Sequence, residues 1–287
     1  MWELASFVLK AVSYAVVLSA AGGALFLALF PTLNEHERSR IVMTTLGLAL
    51  MGSVLTAVAI LLRAGFLSGE GLGGLFEPFY LGMLFESTVG TSAKLRWLGL
   101  AIIGFIWLRR PLGYGIGALG ALLVVASFAL IGHTANLEAR LAGGLLVAFH
   151  LLAISYWIGA LWPLIWVSYA SDTSRVAGVL ERFGTLAMVL VGALVLAGVA
   201  LAWLLLGEFS ALWESRYGNI LVVKLVAFAG LLTLAGLNRF WLVPRFAADE
   251  PGSSVALRRS IVFEVVAVGI ILTATAALTT YSSPFEQ

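Results

Sequence analysis

Cysteine is absent from the 287 residues, which excludes disulfides and any thiolate metal site. Charge is scarce as well. Asp, Glu, Lys and Arg make up 11% of the chain, against about 25% in soluble domains. No basic run is present, so nucleic acid is not an expected partner. No G-x-x-x-x-G-K-[ST] stretch occurs, which removes an ATP-driven motor. No nucleophile–base pair and no paired carboxylates stand at a useful spacing, so no enzyme is expected. There are only three histidines.

What fills the chain instead is apolar sequence, 61% of it, with a mean hydropathy of +1.03. Eight stretches of spanning length follow one another, at 5–31, 41–63, 92–109, 111–135, 141–169, 177–206, 219–243 and 258–281. Each is near or above the roughly 20 helical residues that cross a bilayer core. The expected fold is all-α: a polytopic bundle of eight transmembrane helices forming one transmembrane domain over 1–287, with membrane lipid around it. Lys10 inside the first apolar run, with no basic segment before it, predicts a retained helix rather than a cleaved leader. In the short third span, Lys94 and Arg96 are expected to snorkel.

Alternate loops collect Arg38, Arg40, Arg109, Arg110, Arg175, Arg182, Arg239, Arg245, Arg258 and Arg259 on one side. The other side holds fewer cations and more glutamates, so the arginine-rich side is expected to be cytoplasmic and both termini outside. The one long connection is 64–91. Its glycines give way to Glu77-Pro78 and a short apolar stretch, which predicts an interfacial or re-entrant helix on the outer face with Pro78 at its first position. Gly113, Gly117 and Gly120, and likewise Gly192 and Gly198, stand at spacings that let helices approach closely in lipid.

Chemistry narrows to a few side chains. His36 lies between Glu35 and Glu37 in a loop and is set aside as solvated. His150 sits in a run without formal charge, 143–168. It is roughly 16 Å along the helix from the nearer polar flank. An ionisable group at that depth is a functional candidate by default. His133 ends the preceding span, nearer the outer interface. Met51 and Met188 fall near the middle of their spans, and Met83 lies beside Glu86 on the outer short helix. Imidazole and thioether suit Cu(I), so His150, His133, Met83, Glu86, Met51 and Met188 form the candidate metal path. The structural readings stand beside it. The methionines can be packing residues, His133 can bond backbone or headgroup, and His150 can bond Ser155 or Tyr156 across helices. Glu264 and Arg239 are expected to neutralise each other.

Several of these segments resemble the CopD family of copper-resistance inner-membrane proteins. FHLLAISYWIGALWPL (149–164) is similar to that family's histidine-bearing helix, which ends in a Trp-x-Gly-Gly turn; Ala160 stands at the second Gly. SFALIGH (127–133) resembles the preceding helix. Later helices match at Tyr217-Gly218, Lys224, Asn238-Arg239 and Pro244-Arg245, and 257–284 resembles the last. The likeness covers about 120–284 well and the first third by layout. It implies copper movement across the bacterial inner membrane, described as import, with His133 and His150 handling the metal. It also implies a separate periplasmic CopC-type partner.

Three functions follow from the residues. One is a transporter that moves Cu(I) inward without ATP and without an organic cofactor. Another is a b-type membrane cytochrome, disfavoured because His133 and His150 differ in depth by on the order of 10 Å. The last is a copper-binding assembly or sensing protein that does not transport.

Overall fold

The structure is a computed structural model and describes residues 2–131, 140–206 and 216–281. In chain order the helices are α1 (Trp2–Leu29), α2 (Glu35–Ser68), α3 (Pro78–Glu86), α4 (Thr88–Ile103), α5 (Pro111–Ala129), α6 (Arg140–Val167), α7 (Thr173–Leu206), α8 (Arg216–Leu237), α9 (Val243–Ala247) and α10 (Ser253–Tyr281). Short 3₁₀ turns occupy Gly71–Phe76 and Gly104–Leu108, and a π-helical turn occupies Asn238–Leu242. Among the described residues eight helical segments are long and apolar enough to cross a membrane. They coincide with the eight predicted spans to within a few residues.

Sequence explains most of the boundaries. Asn34 and Glu37 form a reciprocal capping box that starts α2, and Gly69 in the left-handed conformation ends it. Pro78 opens α3 and Pro111 opens α5, where a missing N–H costs nothing. Asp172 caps α7, accepting from the Arg175 N–H and from Ser174 Oγ. The backbone N–H of Arg175 holds the Asp172 carboxyl below its ordinary pKa. The 64–91 connection carries a short helix, as expected. Leu84 on α3 packs with Ile60, Ala64 and Ala93, while Phe76 and Phe79 stay exposed, which suits an interfacial position.

α1 is the central helix, packed against α2, α4, α5, α6 and α10. Lipid supplies no hydrophobic drive between helices, so close packing holds the bundle. Two backbone crossings carry it. A Cβ on Gly22 would lie 1.8 Å from Ser155 O, and a Cβ on Gly159 would lie 2.2 Å from the Gly22 carbonyl carbon. Gly99 and Gly120 make the same kind of contact between α4 and α5. Gly113 and Gly117 also face α4 and the turn after it, as their spacing predicted. Gly192 and Gly198 do not; a Cβ on either meets nothing within 4 Å, so spacing misassigned that pair.

Three further expectations are corrected. The Trp-x-Gly segment 157–160 is not a turn: it lies inside α6, and Gly159 serves the crossing with Gly22. Arg96 does not snorkel. It is buried, donates to Ser127 Oγ at 3.1 Å and to Ser92 Oγ at 3.4 Å, and sits 3.9 Å from the Phe128 ring centroid. Those partners hold the guanidinium inside because they supply both acceptors and a π face. Lys94 does reach outward, donating to Phe85 O at 2.8 Å. The third correction concerns Glu264 and is given with the site.

At the end of the bundle opposite α3, Arg175 grips the buried Glu37 carboxylate through a fork of 2.8 and 2.9 Å, joining α7 to α2. Arg175→Ala leaves that carboxylate with its capping bond alone. The expected loss is about 1–3 kcal/mol, between the exposed and buried extremes for ion pairs. A lower unfolding midpoint in detergent is the check, and Arg175→Lys should lose less.

Candidate functional site

His150 lies ten residues into α6, about 15 Å from the helix start. Its helix is the one pinned to α1 by the Gly22–Gly159 crossing, so backbone packing fixes the ring's depth. His150 Nδ1 is buried and has no hydrogen-bond partner among the described residues. The bonds to Ser155 or Tyr156 expected of a merely structural histidine are not made, and both residues share α6 with it. Tyr156 OH donates instead to Phe183 O at 3.2 Å, and Ser155 Oγ is itself buried without a partner. A buried ring nitrogen left bare loses free energy that a ligand restores.

Two helical turns further along the same face of α6, Trp157 donates its indole N–H to Glu264 Oε2 at 3.0 Å. Asn238 Nδ2 donates to Glu264 Oε1. The expected Arg239–Glu264 pair does not form; Arg239 donates to Thr185 Oγ1 and lies along Gly184 of α7. Adjacent residues on a helix point about 100° apart, so when Asn238 faces α10, Arg239 faces α7. The sequence reading missed this buried triad. One signal for it was available: Lys224, Leu231 and Asn238 recur every seven residues and share one face of α8 and its continuation.

The other candidates are dispersed. Met51 on α2, Met188 on α7 and Met83 on α3 are each exposed by close to half, at 47%, 46% and 44%. Glu86 is exposed at the end of α3. His133 lies outside the described residues. His36 is exposed in the first turn of α2 rather than in a loop. Among the described residues no group of three His, Cys, Asp or Glu is clustered for a metal. Nor does a second histidine share the depth of His150 among them, so the described helices offer no bis-histidine haem site.

No solved structure matches this chain. Among curated proteins, it is similar to copper transport protein CutJ of Bacillus subtilis (strain 168), 26% identical over 96% of this chain and 52% of that protein. The chain therefore spans about half the length of that relative. It is 29% identical to copper resistance protein D of Pseudomonas syringae pv. tomato, covering 83% of each chain. Inner membrane protein YebZ of Escherichia coli (strain K12) is 25% identical over 70% of this chain and 71% of its own length. Residues 177–278 match the family model described as copper resistance protein D. Residues 1–144, half of the chain, match the model for the N-terminal domain of copper resistance protein D-like proteins. With both ends of one bundle matched in order, the chain belongs to the copper resistance protein D family, CopD.

Proposed function

We propose that this protein carries copper, as Cu(I), from the periplasm to the cytoplasm across a bacterial inner membrane, with His150 as the ligand at mid-depth. The observation that carries this reading is the bare, buried Nδ1 of His150. Imidazole nitrogen is a good ligand for Cu(I), and a site with few ligands releases its ion. Membership of a copper resistance family supports copper as the cargo. The CutJ name supports transport, and the YebZ name supports the inner membrane.

Arginine-rich connections on the side opposite α3 support both termini facing outward. His133 and the outer pair Met83–Glu86 are then the entry side of the path, and Met51 and Met188 are accessory thioethers at the bundle's surface. A periplasmic CopC-type protein is the natural donor. No ATP is needed, because inward movement of one positive charge gains about 2.3 kcal/mol per 100 mV of inside-negative potential.

The test is copper flux in vesicles holding only this protein, with Cu(I) outside on a weak chelator and a potential imposed. Uptake that grows with inside-negative potential is expected. Copper that binds to the protein but never enters the lumen would contradict transport and leave a sensing or assembly role.

A further inference from the structure

We infer that Glu264 and Asn238 form a second cation site on the inner side of His150, one that takes the permeating monovalent ion before release; the inference rests on the transport reading above. Four observations converge on it. Glu264 is 3% exposed, yet among the described residues its partners are neutral donors, the Trp157 indole and the Asn238 amide. A carboxylate sunk in a membrane bundle calls for a positive partner. The arginine one residue along from Asn238 is turned away to Thr185. Asn238, 9% exposed, also keeps a buried Oδ1 with no hydrogen-bond partner. A bare amide oxygen next to an uncompensated carboxylate is short of one thing, and a cation supplies it to both.

The backbone is adapted at the same place. Asn238–Leu242 is a π-helical turn, with Val243 N–H donating to Asn238 O. Pro244 follows and has no N–H to give. Single π-helical turns inside α-helices concentrate at functional sites, and this one carries the Asn238 side chain to face α10. Trp157 ties the site to α6, seven residues from His150 on the same face, or about 10 Å along the axis.

The chemistry fits an exit. Cu(I) is soft, and oxygen donors hold it less tightly than imidazole or thioether. Glu264 balances the ion's charge in a low dielectric without trapping it, and conduction needs binding of that kind. The path then has two unlike sites: nitrogen first, where the ion is selected, and oxygen second, where it is let go.

The experiment is Cu(I) flux in vesicles together with Cu(I) binding in detergent, for wild type, Glu264→Gln, Glu264→Asp and Asn238→Leu. Glutamine keeps an acceptor for the Trp157 indole and removes the charge. Flux is expected to fall about 100-fold in Glu264→Gln, the scale of removing one partner from a buried charge pair. Binding at His150 should be retained. Glu264→Asp keeps the charge and should retain clearly more flux than Glu264→Gln. If the glutamine variant does not fold, Asn238→Leu carries the test, with reduced flux expected. Wild-type flux in a folded Glu264→Gln or Asn238→Leu protein would overturn the second site and leave the transport reading intact. A loss in Glu264→Asp equal to that in Glu264→Gln would make the triad architectural and would also overturn it. A wild-type protein that moves no copper would bring down the transport reading, and this inference with it.

Discussion

His150→Ala is expected to abolish copper accumulation while leaving the bundle folded. The second half of that statement follows from the same observation as the first. Nδ1 has no partner among the described residues, so removing it orphans none of their polar groups. An unpaired buried polar atom is itself a cost of folding, of about 1–3 kcal/mol, and its loss offsets part of the packing lost with the ring. The variant should therefore purify as a monodisperse protein with an unfolding midpoint close to that of wild type. Uptake by cells or vesicles should drop to the level of empty controls. A variant that loses fold and uptake together would instead mark His150 as a packing residue.

The largest structural effect is expected at the α1–α6 crossing. Gly159→Val puts a branched side chain where even one methyl carbon would sit 2.2 Å from the Gly22 backbone. Overpacking in a core that can shift costs about 1–3 kcal/mol. Here the obstacle is backbone on both sides, so the helices must part along the seam that holds the central helix. Gly159→Val and Gly22→Val should each fail to give a folded, protease-resistant protein. Gly192→Ala is the control, since its Cβ meets nothing within 4 Å. It should change stability by no more than about 0.5 kcal/mol.

How far the sequence reached can be judged residue by residue. Hydropathy located all eight spans, because a bilayer demands long apolar runs that need no tertiary information. Pro78 and the Gly113–Gly117–Gly120 row were legible because their spacing or position is itself the signal. Gly22 and Gly159 were not: each is decisive only through the helix it meets, and a pairwise contact leaves no periodic trace. Arg96 was misread because depth alone implies snorkelling, whereas Ser92, Ser127 and Phe128 give the guanidinium a place to stay. Glu264 was paired with the wrong neighbour because Asn238 and Arg239 are adjacent, and only the rotation of the helix decides which faces inward. His150 was legible as a candidate from its depth, but its unpartnered nitrogen emerges only when the neighbouring side chains are in place.

The most direct test of the central claim is the copper-edge X-ray absorption spectrum of Cu(I)-loaded protein, wild type against His150→Ala. The account predicts an imidazole nitrogen in the copper shell of the wild type and its disappearance in the variant. A spectrum unchanged by the substitution would contradict His150 as the ligand.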